Sequence, residues 1–429
     1  MIRENFLHYL WKYKLFATLN LVSFSGKSIQ ILHCGMHNFD AGPDFFNAKI
    51  KIEGQLWAGN VEIHIKASDW YVHNHENDSV YDSVILHVVW DNDVSVFRKD
   101  NSIIETLVLS DYVNTAVLQN YKRLFQANNL WINCERQLTN LDSFLLDTWK
   151  EKLYIQRLER KTTKIIALLE QSNHNWEAVL FKLLAKNFGL KVNGTAFFNM
   201  ANSFDFSVFR KYWHKNMSLE ALLFGQAGLL FEDKESVYFE KLQYEYAYLK
   251  HKHNLKPISQ TEVKFFRLRP NNFPTLRLSQ LANLYFVNHS IFSKILEIND
   301  LDSFYNLFSV ETSEFWKSHY SFETVSKTAT KKLTKSFINL LLINTIIPLK
   351  FVYLRTKENF NVEPLLSLIR EIPSERNRII TNFTQFGIPA KNALASQGLL
   401  ELKAEYCNKN RCLDCAIGAN LLRKSSTKL

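Results

Sequence analysis

The chain predicts an α+β protein: a mixed β-sheet near the start, a large and mainly α-helical region after it, and a short cysteine-rich unit at the end. Three observations predict this. Apolar residues alternate with a period of two between about residues 45 and 110, the period becomes helical from about residue 142, and three of the five cysteines crowd into Cys407–Cys415. The expected divisions are 1–115, 116–400 and 401–429.

The opening residues place Phe6, Leu7, Leu10 and Trp11 on one face of an amphipathic helix. Two alternating runs follow, 48–56 (AKIKIEGQL) and 59–67 (GNVEIHIKA), separated by a glycine-containing turn, which predicts a hairpin. The run 84–90 (VILHVVW) is almost wholly apolar, as expected of a strand buried on both faces. Asp91-Asn92-Asp93 marks a turn, and residues 103–109 supply an edge strand. From there the helical pattern takes over, with 144–170 and 176–188 as its clearest members, the second stopped by Gly189. Residues 337–354 are apolar over nearly the length of a membrane span. Asn339, Asn344, Pro348 and Lys350 within them point instead to a buried core helix ending near Pro348. Lys327, Lys331, Lys332 and Lys335 read as one solvated basic helix face.

Composition excludes some classes. With 46% hydrophobic and 14% aromatic residues the chain buries a real core, and with 12 Gly and 8 Pro it has few irregular loops. The net charge of +10 suits a polyanionic partner such as nucleic acid, or an anionic membrane surface. The first residues contain no apolar export run, and five cysteines do not make a disulfide framework; the expected location is the cytoplasm, with no membrane span.

The chemistry gathers in the hairpin. In a strand, residues two apart share a face, so Glu62, His64 and Lys66 line one side while Val61, Ile63 and Ile65 line the other. Asp44 precedes the partner strand and can reach the polar side if the pairing is in register. Two neighbouring carboxylates repel unless a divalent cation lies between them, and a cation with a basic group beside it suits hydrolysis of a phosphodiester. Mg²⁺ or Mn²⁺ is the expected ion. His73 and His75 follow in what reads as a loop, and His33, His37, His64 and His87 lie nearby. His87, inside the apolar run, reads as a core residue; His73 and His75 read as ligands for a metal or contacts for phosphate, which keeps a zinc hydrolase open.

Gly42-Pro43-Asp44, seventeen intervening residues and Glu62-x-His64 resemble the PD-(D/E)XK nuclease signature. The resemblance implies a restriction-endonuclease-like sheet, with Asp44 and Glu62 as metal ligands and a lysine assisting the attacking water. His64 stands where that lysine is expected, which leaves the assisting role to His64 or Lys66 and keeps open a nucleic-acid-binding protein without catalysis. Glu4 resembles a helical carboxylate of the same fold.

Cys407-x4-Cys412-x2-Cys415 offers three thiolates on one loop, and Cys134 is the best fourth ligand, ahead of Cys34. One distant cysteine with a late group of three resembles iron–sulfur nucleases of the RecB-like branch; zinc fits the same thiolates. Arg267, Arg269 and Arg277, interleaved with aromatics, can contact phosphates and bases or simply brace a turn. The segments NFLHYLWKYKLF, GNVEIHIKASDWYVH and FRLRPNNFPTLRL are similar to an uncharacterised bacterial family, a domain of unknown function, and that likeness implies no activity.

Overall fold

The structure is a computed structural model, and it describes residues 2–125, 130–232 and 234–424. It is an α+β protein with two compact units. The first comprises residues 1–146 and 403–429, so the sheet and the cysteine segment belong together; the second comprises 147–402.

In the first unit, helix α1 (Glu4–Tyr13) buries Phe6, Leu7, Tyr9, Leu10 and Trp11. The strands are β1 (Leu21–Val22), β2 (Ser28–His33), β3 (Met36–His37), β4 (Phe45–Ile52), β5 (Gln55–Lys66), β6 (Val84–Asp91) and β7 (Thr106–Val108). Their order is β1-β2-β4-β5-β6-β7, with β3 pairing on β4. The hairpin is present, but its turn is at Glu53-Gly54 rather than near Gly59. Both turn residues have positive φ, 50° and 78°, the primed geometry that matches the twist of the flanking strands. Gly54 takes that conformation without strain, and Ile52 pairs with Gln55 directly across it.

Strand β5 then switches partners. It runs antiparallel to β4 and parallel to β6, which in turn runs parallel to β7. A parallel pair cannot be joined by a tight turn, so residues 67–83 must cross over one face of the sheet. They do so through the single turn of helix α2 (Asp69–Val72) and two short 3-10 turns. Because α1 also packs on β5, the middle of that strand is covered, and Val61, Glu62, Ile63 and His64 are all buried.

The second unit is helical around one large apolar core. The helix Trp176–Phe188 begins with the Asn175 side chain accepting from Ala178 N–H at 3.0 Å and ends at Gly189, which keeps right-handed geometry, φ −69°. The helix containing Pro348 does not end there. It runs from Lys335 to Arg355, and a π-turn at Leu342–Ile346 absorbs the missing proline N–H. It is long and apolar enough to cross a membrane by composition, and 72% of its most apolar window is buried inside the protein.

One expectation about basic residues is corrected, and for Arg277 one of the two readings is met. Residues 318–334 are not helical, and Lys331 turns inward to donate to the carbonyls of Trp316 (2.6 Å) and His319 (2.7 Å). Arg277 is 7% exposed, stacked 3.8 Å above the Phe337 ring and bonded to Asn272 and Gln280, so it braces the turn and is closed to nucleic acid. Arg267 and Arg269 are exposed.

Packing in this unit is tight enough to test. A Cβ at Gly225 would lie 2.2 Å from the buried Tyr246 ring. Gly225→Ala is therefore expected to lower unfolding stability by about 1–3 kcal/mol, measured by urea denaturation. A neutral result would show that the ring can move aside.

Candidate metal centre

Asp44 and Glu62 meet through the backbone. The N–H of Asp44 donates to Glu62 Oε2 at 3.1 Å, and the N–H of Ile63 donates to Asp44 Oδ2 at 2.9 Å. Each carboxylate thus holds the strand that carries the other. The register that permits this pairs Phe45 with Val61, and an irregularity between Phe45 and Ala48, with Asn47 left-handed, lets the strand start carry Asp44 inward.

Histidines surround this pair. His8, on α1 and four residues after Glu4, places Nε2 3.3 Å from Asp44 Oδ2. His75 Nε2 lies 3.3 Å and His64 Nε2 3.5 Å from Glu62 Oε1. His64 Nε2 is also 3.1 Å from His73 Nδ1, and its Nδ1 is 2.9 Å from His87 Nε2. The crossover makes this possible by folding His73 and His75 back over β5, and the parallel register sets His87 beside Glu62. One ligand atom from each of His64, His73 and His75 lies within 4.8 Å of the others.

Burial governs the charges. Glu62 is 5% exposed, and desolvation, reinforced by the Asp44 charge, raises its pKa to about 7 against the opposing pull of His75. Desolvation and the neighbouring imidazoles push His64 down to about 2. His87, 0% exposed, is pushed down to about 3 for the same reasons. Burial raises Glu4 as well. Burial alone would lower His8, but the Asp44 carboxylate, Glu4 and Glu62 together raise it.

Of the expected residues, Asp44, Glu62, His64, His73 and His75 come together, and Glu4 lies close enough for its charge to act on His8. Lys66 does not take the assisting position. It is exposed at the end of β5, where its charge acts on Asp93. The bases touching the carboxylates are histidines. His8 and the partnership of His64 with His87 were missed by sequence reasoning. The signal for His8 was its i, i+4 spacing from Glu4 on the polar side of α1.

All five cysteines are thiols, without disulfides. Cys134, Cys407, Cys412 and Cys415 line one small apolar cavity, while Cys34 is occupied elsewhere, donating to Trp11 O at 3.4 Å. Burial, then the other thiols, raises Cys134 to about 12 and Cys412 to about 11, and raises Cys407 further still. Asn133 Nδ2 donates to Cys412 Sγ at 3.5 Å, and Lys403 donates to Trp131 O at 2.6 Å, tying the two segments together.

A sheet with a buried cluster of carboxylates and imidazoles, and four thiols around a second cavity, defines a protein with two candidate metal-binding centres. The chain belongs to a family described as Protein of unknown function (DUF2851), whose model matches residues 4–378 and so includes the histidine cluster and Cys134. Cys407, Cys412 and Cys415 lie past the matched range. No curated protein and no solved structure gives a significant match.

Two outcomes are expected. In metal-depleted protein, Glu62 titrates near 7 when folded and near its ordinary 4.5 when unfolded, so stability should fall as pH rises from 4.5 to about 7. Glu62→Gln should remove a fall on the order of 3 kcal/mol, seen as a smaller difference between pH 5 and pH 8 in urea denaturation than in wild type. Equal differences would mean that Glu62 ionises without penalty. Separately, protein purified without oxygen should carry iron with acid-labile sulfide, or zinc, lost on Cys134→Ala; a metal content unchanged by that substitution would place the metal elsewhere.

Proposed function

We propose that the protein is a metal-dependent hydrolase of nucleic-acid phosphodiester bonds, with its centre at Asp44 and Glu62. The observation that carries the reading is the mutual clamp of these residues, each carboxylate accepting from a backbone N–H at or beside the other while the Asp44 charge raises Glu62, because a divalent cation between neighbouring carboxylates relieves that repulsion. Mg²⁺ or Mn²⁺ bound by them would polarise a phosphoryl oxygen and acidify water.

A cleft of about 310 Å³ supports the substrate class. His8 lines it, together with Arg3, Lys12, Lys409 and Arg411, and with the exposed rings of Tyr13 and Phe39. Cations interleaved with aromatic rings suit a phosphate backbone and stacked bases. Lys409 and Arg411 are paired with Glu405 and Asp414 at the surface, so their charges are only partly spent.

The proton-handling role falls to His8 rather than to His64 or Lys66. His64 holds a proton too weakly to serve as a base near neutral pH, whereas His8 opens to the cleft and is kept basic by Asp44. The four thiols would hold an iron–sulfur cluster or zinc that ties residues 403–424 to the segment around Cys134.

Cleavage of single-stranded DNA, duplex DNA and RNA with Mg²⁺ or Mn²⁺ tests this. Asp44→Ala and Glu62→Ala are each expected to reduce turnover at least ~100-fold. Cleavage unaffected by both substitutions would sink the assignment.

A further inference from the structure

We infer that His64, His73, His75 and Glu62 form a metal site of their own, built for a tetrahedral transition-metal ion of the zinc type, and that Glu62 is shared between it and the Asp44 site. It deepens the functional reading above and rests on it only through Glu62.

The spacing is the first argument. Ligand bonds of about 2.0–2.1 Å in a tetrahedral site set neighbouring ligand atoms about 3.3–3.4 Å apart. Three of the six edges are 3.1 Å (His64 Nε2 to His73 Nδ1), 3.5 Å (His64 Nε2 to Glu62 Oε1) and 3.3 Å (His75 Nε2 to Glu62 Oε1), and one ligand atom from each imidazole lies within 4.8 Å of the others. The ring centroids of the trio form a nearly equilateral triangle, 5.0, 5.4 and 5.4 Å on a side.

The backbone is arranged for this convergence. Asn74, between His73 and His75, is left-handed at φ 58°, which turns the chain so that both imidazoles face His64. Asparagine tolerates that conformation better than most residues. Tyr81 stacks on His75 at 3.7 Å and Trp70 meets it edge-on, holding the ring in place.

The outer contacts also fit. A metal on His64 Nε2 requires the proton on Nδ1, which then donates to His87 Nε2 at 2.9 Å. Imidazole-rich donor sets select zinc and its neighbours, whereas Mg²⁺ demands oxygen ligands in octahedral geometry. Glu62 divides between the two: Oε1 faces the histidines and Oε2 faces the Asp44 backbone.

The experiment counts metal in full-length wild type, His73→Ala and Asp44→Ala. Samples are stripped and reloaded with zinc, then examined by elemental analysis and X-ray absorption. The wild type should hold one equivalent of zinc with nitrogen and oxygen neighbours only, apart from any sulfur-bound metal. His73→Ala, altered at an exposed residue, should lose that equivalent, and Asp44→Ala should keep it. Cobalt titration should give intense tetrahedral ligand-field bands in wild type and not in His73→Ala. Equal metal content in wild type and His73→Ala, or only sulfur-bound metal, would overturn the inference and show the trio to be a hydrogen-bonded network. The two readings separate cleanly. Mg²⁺-dependent cleavage without nitrogen-bound zinc refutes this site alone, and nitrogen-bound zinc without cleavage refutes the proposed activity alone.

Discussion

The parallel pairing of β5 with β6 is the constraint on which the first unit depends. It forbids a tight turn, forces residues 67–83 across the sheet, and so covers the middle of β5 with the loop that carries His73 and His75. The same pairing sets His87 beside Glu62. An antiparallel meander through these residues would have needed only a short turn, with no crossover to carry His73 and His75 over Glu62 and His64.

Covering those residues has an energetic consequence. Strand interiors are normally apolar, and here two polar side chains on β5 and one on β6 are withdrawn from water together. Hydrogen bonds among them recover part of the loss, but Glu62 still resists ionisation and His64 and His87 resist protonation. The unit tolerates this because α1 and the flanking strand positions Val61, Ile63, Val88 and Val89 supply apolar burial around the cluster. Such concentrations of unfavourable polar burial are characteristic of places where a protein gives up stability for chemistry.

Much of this was legible in the sequence, and the reasons for the gaps are specific. The period of two located β4, β5 and β6, because side-chain alternation depends only on local backbone geometry. The turn was misplaced because two glycines, Gly54 and Gly59, compete as turn residues, and only cross-strand register decides between them. Asp44 could be suspected but not placed, since its inward position depends on an irregular strand start. His87 is the buried core residue that the apolar run suggested, and only its hydrogen-bond partnership with His64 was not legible along that strand. Lys66 was overvalued: period-two logic gives a face but not how far the covered region extends. The helical body was readable as helices, while Pro348 misled because a π-turn three-dimensionally repairs what proline breaks locally.

The first compact unit is discontinuous along the chain: residues 403–429 join residues 1–146 after 256 intervening positions, 147–402. On the ribosome the sheet, the histidines and Cys134 are made first, while Cys407, Cys412 and Cys415 emerge only after the whole helical unit has been synthesised. At typical elongation rates of about 5–20 residues per second, that is a wait on the order of tens of seconds. During it the Cys134 thiol lacks its three companions, and the cavity they line cannot exist. The order of synthesis therefore imposes a schedule on assembly, in which the histidine cluster can close early and the cysteine centre is completed last.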